Sequence, residues 1–290
     1  AYTPSFTFFM DGGKQSVAES KESVLSCIQG AINTMETQNA DFILLQEIDV
    51  DSTRSHHVNE KALLEGAFSS YHASFAFNYN SAYLLVPPWE PHGKSLSGLD
   101  LFSKYPITSS IRRSLPVASG LSKFFDLDRC YTISRIPVDN GKELCIYTVH
   151  LSAYGTNDTV RAGQLSMLFS DMAADRANGN YVLCGGDFNH DLKADESDTE
   201  NRESWAYPFP RSNLPEGFSF AMDLLTDEQK AALPHTSRMT DIPYDKENSY
   251  VVTLDGFIIS DNIQCLNYNT IVTDYAYSDH EPVSFQFSLR

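Results

Sequence analysis

Apolar runs alternate along the chain with polar, turn-forming segments, and their spacing predicts a layered arrangement of helices and strands. Apolar positions at residues 24–35 recur with helical spacing, which predicts a helix from about residue 16 to a break at Asn39. Residues 42–45 then form a continuous apolar run, typical of a strand buried on both faces. A helix followed by a buried strand indicates an α/β fold built in layers.

The same patterns divide the rest of the chain into further elements. Glycine, proline and Asp/Asn clusters separate them, including a good hairpin turn at Asp139, Asn140 and Gly141. We find no internal repeat and no linker, so residues 1–290 are predicted to form a single domain. The predicted helices are 58–68, 159–178 and 226–233, and the predicted strands are 71–79, 98–103, 109–115, 129–137, 143–151, 181–184, 251–260, 263–272 and 283–289.

The strand at residues 181–184 is followed directly by chemistry-bearing side chains. Gly185 and Gly186 are predicted to end the strand, and Asp187 and Asn189 follow. If the chain stays extended, both side chains point the same way, and a carboxylate beside an amide could activate water and hold an anionic oxygen. An Asx turn that closes the strand explains the same residues equally well.

Other predicted strands end in the same kinds of group. Glu47 follows the first strand, His150 and Asp255 occur at strand ends, and Asp279 and His280 form a polar turn before the last strand. Each of these residues alone is an ordinary strand-end polar group. Together they could share a hard divalent cation and supply the acid–base pair that an Asp beside a His provides.

Charge and composition limit the classes of partner. The 290 residues are 42% hydrophobic and carry a formal charge of −17, a poor field for approaching a polyphosphate, although bound cations could reverse it locally. Five scattered cysteines without a CxxC pair predict free thiols, and no run has transmembrane length. We expect secretion or membrane anchoring if an export segment precedes Ala1, and a cytoplasmic protein otherwise.

Taken in order, the motifs resemble the endonuclease/exonuclease/phosphatase superfamily, the deoxyribonuclease I-like group. The resemblance covers nearly the whole chain. It implies a four-layer α/β/β/α sandwich of two mainly antiparallel sheets. The matching motifs are Leu45-Gln46-Glu47, Ser103 with Tyr105-Pro106-Ile107, His150-Leu151, Gly186-Asp187-Phe188-Asn189, Leu254-Asp255-Gly256-Phe257 and Ser278-Asp279-His280 with Pro282.

The resemblance also implies a cofactor and two residues that hold it. By this comparison Glu47 is the principal ligand of a divalent metal ion, and Asp279 is a second carboxylate on the metal side. The expected ion is Mg²⁺, with Mn²⁺ and Ca²⁺ as alternatives.

The remaining motif residues receive catalytic roles by the same resemblance. Asp187 corresponds to the residue that orients or activates the attacking water, and Asn189 to the amide that holds a phosphate oxygen. His150 corresponds to a histidine that contacts the phosphate. His280 corresponds to the acid–base or transition-state-stabilising histidine, which Asp255 orients.

One departure from the family pattern concerns the start of the domain. Members usually open with a strand whose asparagine joins the metal shell, whereas here the helix before Glu47 comes almost at once. We therefore expect the domain in residues 1–290 to lack that first strand.

The expected function is hydrolysis of a small-molecule or lipid-linked phosphoester by in-line attack of water, by a metal-dependent monomer. Lys94, Arg129 and Arg238 are the candidate substrate-binding cations, and the loops at 89–94, 119–125 and 191–219 are expected to surround the site. Two alternatives remain: a metal-dependent nuclease, and a non-catalytic binding module of the same fold.

Overall fold

The computed structural model describes residues 2–117, 128–152, 158–197 and 205–290. The described residues include four α-helices and thirteen strands. The helices are α1 (Lys21–Gln38), α2 (Glu60–Ala67), α3 (Asp158–Ala177) and α4 (Asp227–Ala232). The strands are β1 (Phe42–Asp49), β2 (His72–Leu84), β3 (Gly93–Ser103), β4 (Ser109–Ser114), β5 (Cys130–Pro137), β6 (Glu143–His150), β7 (Tyr181–Asp187), β8 (Phe218–Phe220), β9 (Ser237–Arg238), β10 (Val251–Val252), β11 (Asp255–Ser260), β12 (Ile263–Thr270) and β13 (Val283–Leu289).

Two principal sheets face each other and carry helices on their outer sides. One sheet has the strand order β1-β3-β2, and the other has the order β4-β5-β6-β7-β11-β8. The β6–β7 pair is parallel and the other pairs of these two sheets are antiparallel. Helices α1 and α2 pack together on the first sheet, α3 packs against β7 of the second, and β12 and β13 form a separate hairpin. The fold is the expected four-layer α/β/β/α sandwich of two mainly antiparallel sheets.

Helix α1 begins five residues later than its apolar pattern predicts. Ser20 is its N-cap, and a reciprocal capping box joins Ser20 to Ser23. The predicted start near Ser16 is wrong because that backbone is bound elsewhere: the Ser16 amide donates to Glu90 Oε2 at 2.6 Å. The helix ends as predicted at Asn39, whose left-handed φ of 47° is tolerated by asparagine.

The glycine pair in β7 does not end the strand, contrary to the prediction. β7 continues through Gly185 and Gly186 to Asp187, with β6 on one side and β11 on the other. A Cβ on Gly185 would lie 2.5 Å from the Phe257 ring, and one on Gly186 would lie 2.2 Å from the carbonyl oxygen of Val149. The glycines therefore allow close packing of their neighbours around β7.

The predicted strand at residues 251–260 is in fact two strands, β10 and β11. Between them the carbonyls of Thr253 and Leu254 accept hydrogen bonds from the amides of Leu192 (2.8 Å) and Phe188 (3.0 Å). Because these groups bind the loop after β7, they cannot continue a ladder. The break fixes the start of β11 at Asp255, beside the end of β7.

The remaining predicted features are partly described. The Asp139–Gly141 hairpin turn is present, with Gly141 at a φ of 79°, and Thr226 caps α4 as predicted. All five cysteines are free thiols. The loop predicted at 119–125 lies outside the described residues. None of the helices in the described segments is long and apolar enough to cross a membrane.

We predict that Asp100, a buried carboxylate in β3, makes the stability of the fold depend on pH. Asp100 is 1% exposed, and Lys61 and the backbone of Leu101 are the neighbours that favour its charged form. Burial raises its pKa to about 7, partly opposed by Lys61. The folded-state pKa of Asp100 lies above its unfolded value, so burial of the ionised carboxylate destabilises the fold. This destabilisation is absent below about pH 4 and reaches its full size above about pH 7.

Asp100→Asn should therefore gain stability relative to the natural chain as the pH rises. Between pH 5 and pH 8 the free energy of unfolding of Asp100→Asn, relative to that of the natural chain, should rise by about 3 kcal/mol at most, at about 1.4 kcal/mol per pKa unit. Urea unfolding at the two pH values measures this change. The matched control is Glu22→Gln, an exposed carboxylate in the first turn of α1, which should show no such trend. An Asp100→Asn advantage that is equal at both pH values would contradict the prediction.

Candidate active site

Three of the predicted site residues lie side by side across adjacent strands. The parallel register of β6 and β7 pairs His150 with Asp187, and the antiparallel register of β7 and β11 pairs Asp187 with Asp255. Adjacent strands are about 4.8 Å apart, so the three residues form one row at the end of the sheet. His150 and Asp187 are buried and Asp255 is partly exposed.

His280 extends this row from the polar turn before β13. Its Nδ1 lies 2.7 Å from Asp255 Oδ2, and its Nε2 lies 3.3 Å from Ser237 Oγ. Although burial opposes the charged ring, Asp255 and further carboxylates hold the pKa of His280 well above its ordinary value. His280 is therefore a cation at neutral pH, held in place by Asp255.

Glu47 reaches the same place from the opposite sheet. The β1–β3 ladder gains one extra residue on β1 between Leu45 and Ile48, and Glu47 lies in this bulge with a φ of 55°. Glu47 Oε1 and Asp187 Oδ2 each lie 3.6 Å from His150 Nε2. The two sheets thus bring together one imidazole and two carboxylates from distant parts of the chain.

Arg54 is a central residue of the site that the sequence analysis did not single out. Its Nη1 donates to Glu47 Oε2 at 2.5 Å, and its Nε donates to Asp49 Oδ2 at 3.0 Å. Burial alone would raise the pKa of Glu47, but Arg54 and then His150 hold it well below its usual range. Arg54 stands in a polar loop of ordinary surface composition, so no pattern distinguished it.

The surroundings of Asp187 and His150 shift their pKa values in the directions that favour the neutral side chains. Burial and the adjacent charge of Asp255 raise the pKa of Asp187 to about 7. Burial and then Arg129 lower the pKa of His150 well below its ordinary value. Asn78 Nδ2 lies 3.3 Å from His150 Nδ1, and a donor there leaves the ring proton on Nε2, facing Glu47 and Asp187. Asn78, in the interior of β2, was also missed.

Asn189 does not point alongside Asp187 as an extended chain would require. Its φ is 50°, its amide N–H donates to Asp187 Oδ1 at 2.8 Å, and its side-chain Nδ2 donates to the Leu151 carbonyl at 2.7 Å. This is the Asx turn that the sequence left as the alternative. Asn189 fixes the orientation of the Asp187 carboxylate, and its role toward phosphate stays a prediction.

Asp279 and the three candidate cations have different surroundings. Asp279 lines the same cavity as Glu47, and its charge helps to keep His280 protonated. Lys94 forms an ion pair with Asp51, on the loop after β1. Arg129 is buried, and its charge acts on Glu47, His150 and Asp187.

Arg238 is placed differently from a substrate-binding residue. Its side chain is buried and donates to the backbone carbonyls of Thr3, Phe6 and Ile242 at 3.2–3.4 Å. It therefore anchors the N-terminal segment. Of the three candidate cations, only Arg129 is placed to act on the row of site residues through its charge.

The site residues occupy one end of a cavity of about 1030 Å³. Among the described residues that line it, Arg54 is the only lysine or arginine, against carboxylates that include Glu47, Asp187, Asp255 and Asp279. The described residues contain no cluster of three His, Cys, Asp or Glu side chains arranged as metal ligands. One or two carboxylates are nevertheless enough for Mg²⁺, because this ion keeps several of its water ligands when it binds to a protein.

The fold and the placement of the motif residues are those of the deoxyribonuclease I-like class of proteins. Residues 20–283 match the family model described as Endonuclease/Exonuclease/phosphatase family. The chain therefore belongs to the endonuclease/exonuclease/phosphatase family. A comparison with curated protein sequences found no match.

Solved structures show the same fold at low sequence identity. A family protein from Leptotrichia buccalis has a TM-score of 0.63 and 15% identity, with 94% of this chain and 97% of that chain covered. The human nocturnin catalytic domain with bound sulfate has a TM-score of 0.61 and 16% identity, with coverage of 91% and 86%. A Beutenbergia cavernae protein has a TM-score of 0.64 and 15% identity; 90% of this chain is covered, and the chain spans 66% of that protein.

We predict that Asp255→Asn lowers the pKa of His280. The substitution keeps a hydrogen-bonding group but removes the negative charge that opposes the cost of burying the cation. The measurement is an NMR titration of the imidazole signals in metal-free buffer.

The control is Asp51→Asn, which removes a carboxylate from the Lys94–Asp51 pair on the loop after β1. His280 should titrate in this variant as it does in the natural chain. An unchanged His280 titration in Asp255→Asn would show that Asp255 is not the partner that keeps the ring charged.

Proposed function

We propose that this chain is a divalent-metal-dependent hydrolase that cleaves a phosphate ester of a small or lipid-linked substrate by in-line attack of water. The observation that carries the proposal is the row formed by His150, Asp187 and Asp255, with His280 bound to Asp255 and Glu47 facing the row from the other sheet. Family membership supports the class of reaction, hydrolysis of a phosphate ester.

Asp187 is the proposed base for the attacking water. A carboxylate with a pKa of about 7 can accept a proton near neutral pH, where an ordinary aspartate is too weak a base. The Asn189 amide holds Oδ1, which leaves Oδ2 directed toward His150 and the cleft. Positioning by these two neighbours fixes the direction from which water attacks.

The two histidines take complementary parts because their protonation differs. His280, charged and held by Asp255, stabilises negative charge and can protonate the departing oxygen. His150, neutral with its proton on Nε2, can donate a hydrogen bond to a phosphate oxygen. Two nearby side chains whose pKa values are shifted in opposite directions are a recurring arrangement in acid–base catalysis.

Glu47 and Asp279 are the residues that we propose to hold the metal ion. When bound, a divalent cation supplies positive charge that neutralises the phosphate and stabilises the leaving oxygen. Arg54 keeps Glu47 ionised and oriented for this task. The acidic lining makes such a cation necessary, since a phosphate would otherwise meet mainly negative charge.

We predict that turnover of a phosphoester panel in Mg²⁺ or Mn²⁺ falls strongly in Asp187→Asn and His280→Ala. Loss of one positioned proton-transfer group should reduce kcat/KM by about 10²–10⁴-fold. The panel contains phosphodiesters, phosphomonoesters and sphingomyelin, with ³¹P NMR or released phosphate as the readout.

Two further variants separate catalysis from general damage. Glu47→Gln should weaken binding of Mg²⁺ or Mn²⁺ in calorimetric titration, whereas Glu22→Gln, at an exposed carboxylate of α1, should change neither binding nor turnover. Metal binding without turnover of any substrate would favour the binding module. Equal activity of all variants would refute the assignment of the site.

Plasmid nicking at low salt tests the nuclease alternative. A zebrafish (D. rerio) TDP2 with bound single-strand DNA product has a TM-score of 0.63 at 14% identity, which supports the fold alone. The formal charge of −17 and the acidic cleft favour a compact phosphoester over a long polyphosphate. Nicking that His280→Ala abolishes, with no turnover of small substrates, would favour the nuclease.

A further inference from the structure

The hairpin formed by the end of β2 and the start of β3 extends past the end of β1. Pairing of β1 with β3 ends at Asp49 and Ser97, whereas β3 and β2 stay paired as far as Gly93 and Leu84. The four further residues of β3 (97 − 93) add roughly 13 Å at 3.3 Å per residue. We call residues 80–93 the β2–β3 hairpin.

The base of the β2–β3 hairpin lies beside the candidate site. Asn78, two residues before the hairpin, contacts the ring of His150. At the other end of the hairpin, the charges of Arg54 and Glu47 act on the buried ring of His92. A surface that bound the hairpin would therefore lie next to the site.

The outer side chains of the β2–β3 hairpin are apolar and exposed. Residues 81–89 contain no charged side chain, although 20% of the chain is charged. Tyr83, Leu85 and Trp89 are 59%, 74% and 70% exposed. Single exposed apolar residues are ordinary on a protein surface, but three within seven residues of one uncharged hairpin indicate an interaction surface.

The polar groups next to these side chains are bound by the protein itself. The carboxylate of Glu90 accepts hydrogen bonds from the backbone amides of Ser16 at 2.6 Å and Val17 at 3.3 Å. The indole Nε1 of Trp89 donates to the carbonyl of Lys14 at 3.2 Å. Because the indole N–H already has a protein partner, the ring can leave water without the loss of a hydrogen bond.

The composition of the β2–β3 hairpin favours a lipid bilayer over a folded protein as the partner. A folded partner is oriented by charged or hydrogen-bonding side chains, and residues 81–89 offer only the hydroxyls of Ser81 and Tyr83. Tryptophan and tyrosine are enriched where proteins meet the membrane–water interface. The formal charge of −17 disfavours anionic lipids, so the matching surface is zwitterionic.

We propose that the β2–β3 hairpin inserts Tyr83, Leu85 and Trp89 into the surface of a zwitterionic lipid bilayer and so holds the candidate site against the headgroups. A lipid-linked phosphoester would then reach the site without leaving the bilayer. This use of the hairpin rests on the proposed function, whereas binding to the bilayer needs no turnover and is measured separately.

The tryptophan fluorescence of the chain provides a direct test. The chain has two tryptophans, and Trp205 packs against a small buried cluster away from the hairpin. In Trp205→Phe, Trp89 is the sole reporter. Phosphatidylcholine vesicles should shift its emission to shorter wavelength, and lipids brominated in the acyl chain should quench it. An unchanged, unquenched spectrum at millimolar lipid would overturn the proposal.

Hairpin variants test which side chains bind the vesicles. Trp89→Ala should lower the partition coefficient onto phosphatidylcholine vesicles about tenfold or more in a sedimentation assay, and Leu85→Ser should also lower it. The matched control is Leu224→Ser, at an exposed leucine after β8, which should bind like the natural chain. If Trp89→Ala fails to fold by circular dichroism, Leu85→Ser still decides. Equal binding by the natural chain and the hairpin variants would refute insertion.

Three further outcomes separate this inference from its alternatives. Vesicle binding by a chain that hydrolyses no phosphoester would support insertion and count against the proposed function. Turnover of a soluble short-chain phosphoester without vesicle binding would support the proposed function and refute insertion. A dimer that Trp89→Ala dissociates, seen by light scattering coupled to size exclusion, would assign the hairpin to contact between two copies and refute insertion.

Discussion

The alignment of β6, β7 and β11 is the constraint on which the candidate site depends. Backbone pairing places His150, Asp187 and Asp255 in one row, although 37 and 68 residues separate consecutive members (187 − 150 and 255 − 187). A slip of one residue in either ladder would turn one side chain to the opposite face of the sheet. The buried apolar residues of these strands prevent such a slip, because it would also expose them to polar surroundings. The core thus determines the geometry of the polar row.

This arrangement crowds like charges into a partly buried space. Asp187 and Asp255 are neighbours in the row, and burial together with this repulsion favours a proton on Asp187. Arg54 and the His280 cation offset part of the cost by pairing with Glu47 and Asp255. Two carboxylates held this close destabilise the fold. The same repulsion is useful for catalysis, because it raises the pKa of one carboxylate to a value suited to proton transfer near neutral pH.

The sequence predicted the features that local rules control. Helix α4 follows its cap at Thr226, and residues 42–45 form a buried strand as their apolar run indicated. The errors arise where distant groups override local preference. Ser16 is bound by Glu90 from 74 residues away, and the strand at 251–260 is interrupted by the loop after β7. Glycines 185 and 186 serve close packing inside a sheet, which a single strand cannot reveal.

The site residues divide in the same way. Glu47, His150, Asp187, Asp255 and His280 were predicted by their order along the chain, and the fold brings them together. Arg54 and Asn78 were missed because each acts through a contact with another residue, which the local sequence does not reveal. Arg54 binds Glu47, and Asn78 contacts the ring of His150. Arg238 was a candidate substrate-binding cation, but its carbonyl partners from the N-terminal segment show it to be an internal anchor.

The position of Glu47 shows how contacts outside the row of His150, Asp187 and Asp255 bear on the chemistry. Glu47 lies in a bulge of β1, with a positive φ that a flexible edge would not hold well. Arg54 donates both to the side chain and to the backbone carbonyl of Glu47, and β3 pairs with Leu45 and Ile48 on either side of the bulge. A residue seven positions along the chain thus fixes the carboxylate that we propose as the metal ligand.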